Sequence, residues 1–232
     1  MISNKNKKSR AKNDRLQLFK LINEKKIFLT LIFINLLFQH YITYYVSDNI
    51  DAEKEKEKDP NKYYAIIVAS YIIGFILVLL LIYVQMSSML KFIIFSLFSA
   101  VYGIIFISIK HFFDPNMLHG AVIGSINIFV FMMLFGVALT ISGIQLSNKV
   151  AFGLFYALLV LIIVSVVQYF TYYYSIISKL LLVAVAILFS LYIVNTTNNV
   201  LHRNYEGDFV TASFDYYIDN SSIFNALMIN DS

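Results

Sequence analysis

The residues best placed to do chemistry lie in the last apolar stretch of the chain. Asp208–Met228 reads DFVTASFDYYIDNSSIFNALM. It is apolar enough to enter a membrane, yet it carries Asp208, Asp215 and Asp219. A carboxylate inside a bilayer is costly, so it faces a bundle interior or a water-filled path and takes a partner. At about 100° per residue the three acids share one helical face. Phe209, Ile218 and Phe224 occupy the other. Such a face suits a cation path or a proton-sensitive gate. For Asp208, at the start of the segment, helix capping is the simpler expectation. Asp219 is mid-segment, where capping fails, and is the functional candidate; Asp215 fits either reading. The preceding segment ends on a polar run, Asn195-Thr196-Thr197-Asn198-Asn199.

These residues need elements to hold them. Of the 232 residues, 59% are hydrophobic, which excludes an ordinary soluble domain and indicates a polytopic membrane protein. A spanning helix needs about 20 mostly apolar residues. Ile27–Val46, Tyr64–Tyr83, Phe92–Ile109, Ala121–Ile141, Val150–Phe170, Ile176–Val194 and Phe209–Met228 meet or approach that length. The reading is an all-α fold of six to seven transmembrane helices, with the acidic C-terminal helix central in the bundle. It comprises a basic tail (1–26), one transmembrane domain (27–228) and a short end (229–232). The seventh segment either crosses or dips in and returns.

Charge sets orientation. Residues 1–26 carry nine Lys/Arg, among them Lys20, Lys25 and Lys26, against Asp14 and Glu24. The positive-inside rule places this end in the cytosol. The acid-rich DAEKEKEKDP run suits the opposite side and reads as a solvated loop, because EF-hand ligand spacing is missing. Six crossings return the 195–207 loop to the cytosol. The partner implied throughout is the lipid bilayer; nothing points to nucleic acid.

Other residues carry weaker signals. With no cysteine, neither a disulfide nor a cysteine metal site is available. His40, inside segment one, is expected to meet a neighbouring helix. His111, Asp114 and His119 lack metal-ligand spacing and read as loop, so no tightly bound metal or cofactor is expected. Gly120 and Gly124 form a GxxxG suited to helix packing. The enzyme signatures HExxH and GxSxG are lacking, and no enzyme is expected.

The run Asp208-Phe209-Val210-x-Ala212, then Tyr217-Ile218-Asp219, then Ile223-Phe224, resembles the C-terminal signature of the Bax-inhibitor family, the transmembrane Bax-inhibitor-motif proteins. That family closes its sixth helix with aromatic-Asp-Thr-Gln; Val194, Asn195, Thr196 and Thr197 stand there in this chain. The resemblance implies an intracellular membrane protein, of endoplasmic reticulum or Golgi, with its N-terminus cytosolic. It also implies suppression of cell death through a calcium leak, with calcium the permeant ion. In the family two aspartates, at the positions of Asn195 and Asp219, share a proton and act as a pH-sensitive latch. Two close carboxylates cannot easily both ionise. Asn195 removes that shared proton, and its amide is expected to donate to an ionised Asp219. The candidate residues are thus Asp219 as cation or proton site, Asn195 as altered latch partner and Asp215 as a pore-lining acid, with Asp208 and Arg203 in support. The alternative is a non-conducting protein that modulates cell death by binding partner membrane proteins.

Overall fold

In the computed structural model the chain is helical, with no strand among the described residues, which are 2–50, 57–110, 115–171, 175–202, 205 and 207–230. Seven helices follow in order: α1 Ile2–Asn49, α2 Pro60–Tyr83, α3 Ser88–Lys110, α4 Pro115–Ile141, α5 Asn148–Thr171, α6 Ser175–His202 and α7 Phe209–Asn230. Six of them contain stretches long and apolar enough to cross a membrane: Glu24–Asn49, Pro60–Tyr83, Ser88–Ile107, Leu118–Ile141, Lys149–Val167 and Ile177–His202.

The basic tail and the first span lie on one continuous helix, α1. Residues 1–59 contain neither glycine nor proline, so no residue there opposes continuing the helix. Pro60 opens α2, where its missing N–H costs nothing. Asp59 caps that helix, accepting the Lys62 N–H at 3.1 Å. Of the acid-rich run, residues 51–56 lie outside the described residues, as do His111 and Asp114 of the loop after α3.

The chain forms two compact units. The first comprises residues 1–29, 119–207 and 218–232. Here α5 packs along α6, yet over Lys149–Val167 only Leu154 is buried, the surface of a helix facing lipid. Two links tie the start of the first span to the end of α6. Lys25 Nζ donates to the Val200 carbonyl at 2.8 Å, and the Phe28 and Tyr205 rings lie 6.4 Å apart. A cation on a last-turn carbonyl satisfies an acceptor that the helix leaves open and complements its dipole. These links set the start of the first span beside the end of α6.

The second unit comprises residues 30–118 and 208–217, with α2 packed along α3. Phe95, Phe98, Phe214 and Tyr217 form an edge-to-face aromatic cluster with ring centroids 5.2–6.0 Å apart. His40 meets Tyr217 edge-on at 4.6 Å, the neighbouring-helix contact expected of it.

The seventh segment is one uninterrupted helix of 22 residues, about 33 Å long and enough to cross. No residue of 209–228 is exposed. Within the first unit Leu227 meets Gly124 near the start of α4. Gly120, the other half of the GxxxG, has nothing within 4 Å of the place a Cβ would take. Two other glycines mark tight helix approaches. A Cβ on Gly103 of α3 would stand 2.8 Å from the Thr43 carbonyl of α1, and one on Gly136 of α4 would stand 2.9 Å from the Val194 carbonyl of α6. Backbone cannot yield there without parting the helices. Gly103→Ala is therefore expected to cost about 1–3 kcal/mol, read as a lowered thermal midpoint in detergent. Gly153→Ala, with open space around it, serves as the neutral control; equal midpoints for the two variants would refute the close packing at Gly103.

Candidate functional site

Asp219 is 5% exposed and Asn195 6%; both belong to the first unit. The polar end of α6 turns inward, with Asn195, Thr196, Thr197 and Asn198 all buried. From this helix Thr196 Oγ1 donates to Asp219 Oδ2 at 3.3 Å. The expected amide donor was Asn195, but the α6 hydroxyl that meets Asp219 belongs to the next residue. Asn195 Oδ1 is buried with no hydrogen-bond partner among the described residues.

Asn198 fixes this end of α6. It is fully buried, and both amide hydrogens and the amide oxygen have partners. Nδ2 donates to Thr140 Oγ1 at 3.1 Å and to the Ile144 carbonyl at 2.8 Å, and Oδ1 accepts the Leu146 N–H at 2.8 Å. The turn it grips ends α4: Gly143 has φ +73, its N–H reaches the Thr140 carbonyl, and the Ile144 N–H reaches the Leu139 carbonyl. This is a Schellman-type stop, which needs a left-handed residue. The next backbone groups have no helix to join, and Asn198 supplies their partners. Its neighbour Thr197 bonds the Ile193 carbonyl at 2.8 Å and packs against Gly136.

The other acids lie in the second unit. Asp208 caps α7: its Oδ1 accepts the Thr211 N–H at 3.0 Å, and Oδ2 accepts the Thr211 hydroxyl at 2.7 Å. The cap anticipated for it is present, together with an ion pair to Lys91, whose Nζ also donates to Thr211 Oγ1 at 2.9 Å. Asp208 precedes α7. Burial pushes its carboxyl up, but the hydrogen bonds from Lys91 and Thr211 and the ammonium charge outweigh it and hold the carboxyl below the ordinary range. Asp215 is half-buried. Arg203, suggested as a partner for an acid, lies outside the described residues. Among the described residues no group of three or more His, Cys, Asp or Glu could hold a metal.

Fold and site together define a polytopic, all-helical membrane protein with a polar helix kept from lipid. The sequence profile of the family described as inhibitor of apoptosis-promoting Bax1 matches residues 24–229, nearly the whole chain. The chain belongs to this Bax-inhibitor family. No curated protein sequence matches it significantly.

Two outcomes test this geometry. Asn198→Leu strands the Ile144 carbonyl and the Leu146 N–H and is expected to cost about 2–4 kcal/mol, read by thermal unfolding; a midpoint unchanged from the parent would deny the clamp. For Asp208 the sign follows from its depressed value. The stabilisation is complete above the ordinary carboxylate range, near pH ~4, and is lost as pH falls through the lower, folded-state value. Lys91→Met should thus lower the melting temperature by a few degrees at pH 7 and show a shallower acid decline than the parent. Parallel curves for the two proteins would contradict the pairing.

Proposed function

We propose that this chain forms a calcium leak path in an intracellular membrane, endoplasmic reticulum or Golgi, and suppresses apoptosis by lowering stored calcium. Asp219 is the cation or proton site, Asn195 the altered latch partner and Asp215 a pore-lining acid. The observation that carries this reading is the buried Asn195 Oδ1, without a hydrogen-bond partner among the described residues, on the helix whose next residue bonds Asp219. A buried amide oxygen calls for a donor or a cation. Carboxylate and amide carbonyl oxygens are the ligands that calcium takes. Family membership supplies the link to cell death.

Asn195 changes the control of such a path. An amide oxygen can coordinate a passing cation but does not bind a proton near neutral pH. The proton shared between two carboxylates is then gone, and Asp219 answers to pH as a single site in contact with a hydroxyl. The flux is expected to vary less with pH than that of a two-aspartate relative, and Asn195→Asp should restore a steeper response.

The competing reading is a non-conducting protein that acts by binding other membrane proteins, with Asn195 the mark of a lost latch. Calcium efflux from liposomes holding the purified chain, between pH 6 and pH 8, separates the two. The leak reading expects efflux that falls at least several-fold in Asp219→Asn. Folded protein that passes no calcium at any pH would overturn it and leave the binding reading standing.

A further inference from the structure

The second unit holds a polar seam that the proposed ion site does not use. From α1 it takes Asn35, Gln39 and Thr43, at successive turns of one face; from α3, Ser96 and Ser99; from α7, Tyr217. Gln39 is fully buried and Asn35 is 4% exposed, well inside the first span. Gln39 Nε2 donates to Asn35 Oδ1 and to Ser96 Oγ, each at 3.1 Å. Ser99 Oγ donates to Gln39 Oε1 at 2.9 Å, and Ser96 Oγ donates to the Phe92 carbonyl at 2.9 Å. Thr43 Oγ1 lies 2.9 Å from the Ser99 carbonyl, 3.2 Å from the Gln39 carbonyl and 2.5 Å from the Tyr217 hydroxyl.

Counting hydrogens shows where the seam is incomplete. Thr43 has one hydroxyl hydrogen, and a backbone carbonyl takes it, so Tyr217 donates to Thr43. Both Gln39 Nε2 hydrogens are used, as are the hydroxyl hydrogens of Ser96 and Ser99. The atom left over is Asn35 Nδ2, buried with no hydrogen-bond partner among the described residues. Amide orientation does not remove the problem. Turning Asn35 alone would set its NH2 against that of Gln39. Turning both amides keeps a good bond between them, with Asn35 Nδ2 now donating to Gln39 Oε1. The outer position of Asn35 then holds an oxygen instead of a nitrogen, and it still lacks a partner.

We propose that Asn35 binds an internal water molecule, which completes the seam within the first span. Water donates and accepts, so it serves the outer amide atom in either orientation. A metal cation would meet a donor in the orientation shown, and the seam contains no carboxylate to hold it. An anion would find no positive side chain in the seam. Hydrocarbon cannot satisfy the amide at all, and a buried polar group left unmet in a span is costly. The seam is therefore a hydrated polar joint between α1, α3 and α7 rather than a second ion route.

The test uses the full chain in lipid nanodiscs with 15N-labelled asparagine, and water-edited solid-state NMR. The Asn35 side-chain signal is assigned by its loss in Asn35→Leu. Asn49, exposed at the end of α1 with Nδ2 bonded to the Tyr45 carbonyl, is the hydrated reference. Water-to-amide transfer at Asn35 comparable to that at Asn49 is the result expected. Transfer an order of magnitude slower, with Asn49 normal, would overturn the site. Should Asn35→Leu fail to fold, a high-resolution density map of the unsubstituted chain decides. A peak about 2.7–3.2 Å from the outer amide atom supports the water, and a position closed by a side chain refutes it.

Discussion

A carboxylate cannot face hydrocarbon, and the rest of this protein follows from that constraint. Asp219 lies mid-way along a helix too polar to count among the six apolar spans, yet α7 has no exposed residue over 209–228. Apolar surface goes to helices such as α5, whose span holds one buried residue and is mostly exposed. Serine, threonine, asparagine and aspartate are tolerated in α7 because protein, not lipid, surrounds them. The acid in turn needs local partners, and Thr196 on the inward-turned end of α6 is one of them.

Polar contacts at the helix ends hold these positions. Asp208 does two jobs at once, capping α7 and pairing with Lys91. Asn198 uses both hydrogens and the oxygen of its amide to hold the turn that ends α4. Lys25 closes a carbonyl of the last turn of α6. Each contact satisfies backbone groups at or beside a helix terminus, where the helix itself offers no partner. At Gly103 and Gly136 the glycine backbone lies directly against a neighbouring helix, the small-residue packing that membranes favour.

Much of this was legible in the sequence because hydropathy and charge are local signals. The spans, the acidic helix and the cap at Asp208 all follow from runs of residue types. What was not legible depends on which residue faces which. Within Asn195–Asn199 nothing in composition distinguishes Thr196, which meets Asp219, from Asn195, or marks Asn198 as the clamp. Lys91 reads as one more cation at a span edge until its distance to Asp208 is known. Lys25 reads as a topology signal, yet it also bonds α6. The GxxxG spacing drew notice to Gly120, which has open space beside it, while the isolated Gly103 and Gly136 mark the tight crossings.

α7 can be polar because it is kept from lipid. The chain has no cysteine, so single cysteines placed along α7 and α5 can be probed in bilayers with a lipid-soluble maleimide without background. Thiols at Thr211, Ser221 and Phe224 should react far more slowly than thiols at Phe152, Leu159 and Ile163. Equal rates on the two helices would mean that α7 meets lipid, and the reading of Asp219 as an interior acid would fall with it.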